Sequence, residues 1–218
     1  MYALMTMLAA GIEAGAGALS KKVGSARRRR VIHQAEPVTD AASGRLREIS
    51  GRAVAGAGGQ LSAPLSGEPC VFYAVTVRER YLAWRPGPLG PTKVVREVRV
   101  AQRISGPLHV VGDTASVRVD ARGADLSLGE PVFAEFEDVP NGPLTGRLAP
   151  VLGDRLRPRH RERTLGFMVE EHIVRADDEL YVAGQARTEL GDLVIAKPAM
   201  RPFIVSRMSA MPVSGRQD

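Results

Sequence analysis

From about Leu46 onward, apolar and polar residues alternate with a period of two, the mark of half-buried strands. In Cys70 to Leu82, Val71, Tyr73, Val75 and Val77 take one parity, and Phe72, Ala74, Thr76 and Arg78 take the other. One face is apolar and its opposite turns polar toward the end. Lys93 to Ile104 repeats the pattern, with Val94, Arg96, Val98 and Val100 against Val95, Glu97 and Arg99. Leu46–Val54 and, after Leu165, a run to Val174 predict further strands. Leu180–Arg187, Leu193–Ala196 and Phe203–Arg207 add three more. HVVGDTASVRV, His109 to Val119, predicts two short strands around Gly112-Asp113-Thr114.

Turn residues separate these runs at intervals of about 8 to 12 residues. Ala55 to Gly59, Arg122-Gly123-Ala124 and Ala176-Asp177-Asp178 are turns, and Trp84 to Pro91 is a break that no strand crosses. Pro140 to Pro158 is loop-like. Arg155, Arg157, Arg159, Arg161 and Arg163 alternate through and beyond it, lining either a strand edge or a basic loop. Strand-turn-strand units without intervening helices predict an all-β, mainly antiparallel fold. It is a small barrel or sandwich, with an oligonucleotide-binding (OB-like) barrel among the candidates.

The first 24 residues differ. Leu4, Leu8, Ile12, Leu19 and Val23 fall near one helical stripe, with Ala and Gly between them. Tyr2 to Leu19 reaches spanning length, but Glu13 and its glycines make it a poor span. Gly11 and Gly15 stand at GxxxG spacing, which suits packing on another chain equally well. Residues 1–24 are thus an apolar helix and a candidate membrane anchor, and 25–44 are a basic linker. The β domain occupies 45–207, and 208–218 form a tail. Lys21, Lys22 and Arg27, Arg28, Arg29 and Arg30 are membrane-proximal cations. If the segment inserts, they hold the β domain on the cytoplasmic side.

The net charge of +6 comes mostly from arginine, and the Arg27–Arg30 block suits a solvated flank, a membrane surface or nucleic acid. A single cysteine excludes an internal disulfide and any zinc cluster of several thiolates, a RING included. Cys70 lies in an apolar run, which predicts a buried thiol with no local base.

No catalytic, cofactor or metal site emerges. His33, His109, His160 and His172 are scattered. Glu170-Glu171 and Asp177-Asp178 form an acidic pair across a turn, which needs no function of its own. Ala55-Gly56-Ala57-Gly58-Gly59 lacks the Lys-Ser/Thr of a phosphate loop. Nucleic-acid binding by an OB-like barrel is the alternative, though the aromatics that would stack on bases are few enough to be consumed by the core.

Three blocks stand in order. The first is Ser50-Gly51-Arg52-Ala53-Val54 followed by LSAPLSGEPCVFY, Leu61 to Tyr73. The second is LHVVGDTASVRVDARGA, Leu108 to Ala124, and the third is EHIVRADDELYVAG, Glu171 to Gly184. Together they resemble the GIDE, or "beside a membrane" (BAM), domain family over roughly Arg45 to Ser206. Ala115 and Asp177 stand where that family's pattern has glycine, and Leu108 where it has phenylalanine. The resemblance implies a binding or scaffolding module at a membrane, whose partner is a membrane, a membrane protein or an unknown ligand. The family's ligase members carry a second span and a RING that are not found in this chain. A ubiquitin-ligase-like role is therefore implied by family name only. The residues expected to hold the domain's shape are Gly51, Pro64, Gly67, Cys70, Tyr73, Asp113, Gly123, Glu171, Tyr181 and Gly184.

Overall fold

A computed structural model of the chain describes residues 36–38, 44–88, 90–138, 143–152, 163–199 and 201–210. The N-terminal stripe, the cations from Lys21 to Arg30, and Arg155 to Arg161 lie outside these residues. The fold is all-β, as the alternation predicts.

Five strands close a barrel: β2 (Leu46–Val54), β7 (Leu108–Val111), β8 (Ser116–Val119), β13 (Asp192–Ala196) and β12 (Glu179–Glu189). They pair in that order, and β12 returns to β2 through Gly51↔Leu180 and neighbouring pairs. All are antiparallel except β8 with β13. This is a Greek-key barrel of the OB kind. β14 (Ile204–Arg207) joins β12 beyond the end of β13, and β9 (Asp125–Ser127) runs parallel to β14. The barrel interior holds Ile49, Leu108, Val110, Val117, Val119, Leu180, Val182, Ile195, Phe203 and Val205, all buried.

The linker contributes a piece of this barrel. β1 (Glu36–Pro37) pairs in parallel with β2. Val38, 1 % exposed, packs into the same core, and its N–H donates to the Glu48 carbonyl at 3.0 Å.

Two insertions in the barrel build a second sheet. Between β2 and β7 the chain makes β3 (Leu61–Ser62), β4 (Pro69–Cys70), β5 (Phe72–Arg85) and β6 (Thr92–Ile104). Between β8 and β12 it makes β9, β10 (Phe133–Glu137), helix α1 (Pro143–Leu152) and β11 (Thr164–Val174). The sheet order is β10-β11-β5-β6, antiparallel throughout. Phe72 and Ala74 pack into the barrel core, while Val75 and Val77 pack beneath Leu144 and Leu148 of α1 with Phe167 and Val169. The first half of β5 is therefore buried on both faces, and its polar face opens only from Arg78 onward.

Two expectations are corrected. Pro140 to Pro158 is not all loop, because α1 lies within it. Proline at the first helical position costs no hydrogen bond, and the buried Glu137 carboxylate accepts the N–H of Leu144 at 3.0 Å. The break after β5 begins at Pro86, not Trp84, because β6 pairs through Trp84↔Lys93 and Arg85↔Thr92.

Candidate binding surfaces

The sequence-marked residues fall into two structural groups and two outliers. The first group surrounds Glu171. Its side chain is fully buried, and its two oxygens accept the N–H groups of Leu65 at 2.9 Å and Ser66 at 2.8 Å. Pro64 and Gly67 shape that tight loop, and Gly67 takes the left-handed backbone (φ +75°) that favours glycine. The Gly67 N–H donates to the Ala63 carbonyl at 2.9 Å, closing the turn. An ion pair between Arg175 and Glu68 ties the same loop to the β11–β12 turn, and Arg147 of α1 donates to the Leu65 carbonyl at 2.9 Å.

Cys70 sits beneath this loop with Ala63 and Ile173, fully buried. Burial, and then the nearby Glu171 charge, push its thiol above the ordinary range, so thiolate chemistry is suppressed. Tyr73 packs against both Cys70's cluster and the core under α1.

The second group closes the barrel seam between β2 and β12. Gly51 pairs with Leu180, and a side chain there would strike the backbone of Val111. At Gly184 an added Cβ would lie 2.8 Å from the Ala196 carbonyl, Ile195 and Phe203. The Tyr181 hydroxyl donates to the Glu48 carboxylate at 2.5 Å. Burial first, then this carboxylate, hold the phenol protonated far above its usual range. Asp113 lies exposed in the β7–β8 turn, apart from both groups.

The acidic residues of the third block separate. Glu170 and Glu171 point to opposite faces of β11, with Glu170 ion-paired to Arg78. Asp178 accepts the Arg175 N–H at 2.7 Å and the Arg207 guanidinium at 2.6 Å. Asp177, where the family pattern has glycine, has φ +65°. Aspartate tolerates that conformation better than most residues. Among the described residues no group of three His, Cys, Asp or Glu is placed to hold a metal ion.

Gly123 leads to a surface that the sequence did not reveal. The face of the second sheet opposite α1 packs on the barrel at Phe72 and Ala74 and opens beyond them, from Arg78 onward. Where it meets the 123–126 segment there is a cleft of about 540 Å³ lined by Thr76, Arg78, Arg99, Gln102, His172 and Asp125. His172 Nδ1 is buried without a hydrogen-bond partner. Burial depresses its pKa, outweighing the opposing pull of Glu170, so the ring is neutral at neutral pH. Arg99 meets Gln102 Oε1 at 3.1 Å. The cleft offers hydrogen-bonding groups of both signs and no nucleophile poised beside a base.

A different picture holds on the barrel wall. Arg118, Arg122 and Arg187 face Asp120 and Glu189 around a cleft of about 300 Å³. Arg118 and Arg187 reach Glu189 at 2.8 and 2.7 Å. Arg122 forks onto Asp120 at 2.7 and 2.6 Å and, with that hydrogen bonding as the largest cause, lowers the Asp120 pKa. These arginines are already paired with carboxylates, which reduces the field available to a phosphate backbone.

A profile of the GIDE family, described as E3 Ubiquitin ligase, matches residues 95–215. This is more than half of the chain, and the chain belongs to that family. The match begins within β6 and covers β7 to β14, so the Leu61–Tyr73 block lies before it. The ligase connection is one of family alone. No curated protein and no solved structure matches the chain. Among the described residues no helix is long and apolar enough to cross a membrane.

Proposed function

We propose that this chain is a non-catalytic binding or scaffolding module held beside a membrane, with its β domain on the cytoplasmic side. A partner is received on the open face of the second sheet. The observation that carries this reading is the sheet's asymmetry. One face, carrying Val75, Val77, Phe167 and Val169, is covered by α1 and Leu65, while the other places Arg78, Arg99, Gln102 and His172 around a cleft. A scaffold needs only the second face exposed, and α1 and the Glu171-held loop brace the strands from behind. Family membership supports a link to ligase-type assemblies, and within one this chain would hold a partner rather than transfer ubiquitin. The apolar stripe before Lys21 supports attachment.

The test places a photoreactive residue at Gln102 of the full-length chain in its native host. A defined adduct in the membrane fraction, lost on Arg99→Glu and not formed from a probe at exposed Arg201, supports the reading. Recovery of the chain in the soluble fraction at low salt, with no adduct, overturns it. The barrel's OB-like topology favours a second reading, single-stranded nucleic-acid binding. Salt-sensitive binding of an oligonucleotide that is lost on Arg118→Glu would select it.

A further inference from the structure

We infer that the outer end of the β5–β6 hairpin is a membrane-contact wedge that meets an anionic lipid surface. This rests on the membrane-side reading above and names the contact.

β11 pairs with β5 only as far as Tyr81↔Thr164. Beyond it, Leu82↔Val95, Ala83↔Val94, Trp84↔Lys93 and Arg85↔Thr92 form a ribbon of two strands. Leu82, Trp84, Lys93 and Val95 share one face of this ribbon. Trp84 is 53 % exposed and Val95 48 % exposed. Trp84 is also the chain's single tryptophan. A two-stranded ribbon on its own is marginal in water, so placing large apolar side chains at its end brings no core in return.

The charge of the segment selects the occupant. Tyr81 to Arg96 contains Arg85, Lys93 and Arg96 and no carboxylate. Lys93 Nζ stands 5.3 Å from the centre of the Trp84 ring. An indole beside an ammonium suits the headgroup layer, where the ring meets acyl chains and the cation meets phosphate. Four residue pairs expose too little area for a stable protein interface of ordinary size, whereas a membrane wedge requires only a few apolar side chains and neighbouring cations. Pro86, Pro88 and Pro91 in the connecting segment remove backbone donors that would otherwise enter the bilayer unpaired.

Trp84 reports on its own contact, whatever the N-terminal segment does. Full-length protein is mixed with phosphatidylcholine vesicles, with and without phosphatidylserine, and followed by tryptophan emission, acrylamide quenching and co-sedimentation. The expected result is a blue shift and protection from acrylamide on the anionic vesicles, both much weaker on phosphatidylcholine alone. Lys93→Glu with Arg96→Glu keeps the reporter, and should abolish the shift while leaving the thermal melt in place. Co-sedimentation with unchanged Trp84 emission overturns the wedge and spares the membrane reading. Absence of co-sedimentation likewise overturns the wedge, and the native-host fractionation above then decides the membrane reading by itself. A blue shift retained in the double variant overturns the electrostatic selection.

Discussion

Glu171 Oε1 accepts the backbone N–H of Leu65 at 2.9 Å across a sequence separation of 106 residues. Its other oxygen takes the N–H of Ser66 at 2.8 Å. One buried carboxylate thus joins the loop of the first insertion to the central region of β11 in the second. The charge is tolerated because each oxygen is directed at a fixed donor.

Glu171→Ala leaves two donors unpaired in a dry site and should destabilise the fold by about 3 kcal/mol. Glu171→Gln keeps one acceptor and should cost less. Urea unfolding measures both. The same loop covers Cys70, so a thiol reagent should label Cys70 faster in the alanine variant than in the parent, where labelling is slow.

Val38 sets where the domain starts in energetic terms. A chain beginning at residue 36 keeps Val38 in the barrel core, and one beginning at 41 loses it along with the Val38–Glu48 hydrogen bond. The shorter chain should be less stable by about 2 kcal/mol, the value of one buried valine. Paired thermal melts give the comparison. Equal melting temperatures would remove Val38 from the core.

Leu190 occupies the β12–β13 turn with φ +52° and is fully exposed, followed by Gly191 at +90°. Glu189 and Asp192 pair directly, so the turn has two residues, both left-handed, and favours Asn-Gly. Leu190→Asn should therefore stabilise the protein by roughly 0.5–1 kcal/mol. A fall in stability on chemical denaturation would show that this leucine makes a contact the turn geometry does not account for.

His172 gives a pH signature. Its folded pKa lies below the ordinary 6.5, chiefly through burial, so the unfolded chain binds its proton more readily. The neutral ring's contribution is complete above about pH 6.5 and is lost as pH falls toward and through the folded value. Stability should rise with pH across that window. In His172→Gln this component should vanish, while Glu170, Arg78 and Arg207, the charges that act on the ring, are retained. Denaturant midpoints at several pH values provide the check.

Much of the local fold was legible. Leu46–Val54 matches β2 to the residue, and the Ala176-Asp177-Asp178 turn falls where the composition puts it, because strand alternation and turn chemistry are local properties. The helix was hidden because PLTGRLAPVL carries two prolines and a glycine, and its N-terminal carboxylate comes from Glu137, outside any local capping pattern. β5 was cut short at Leu82 because the tryptophan and proline cluster signals a break. Only its pairing with Lys93 and Thr92 extends the strand to Arg85. The open-face cleft was not legible. Its histidine, arginines and Gly123–Leu126 segment come from separate stretches, and nothing in the spacing of Thr76, Arg99 and His172 announces that three strands bring them together.

The barrel seam has a consequence for biosynthesis. β2 must wait for β12, and the two are separated by both insertions. At ordinary ribosomal speeds that interval lasts on the order of ten seconds. Throughout it the edge of β2 facing β12 is unpaired, and for most of it, until α1 and then β11 follow, the β5–β6 hairpin is uncovered. A nascent chain in this state is a natural client for holdase chaperones, and its yield depends on how quickly β12 leaves the ribosome tunnel.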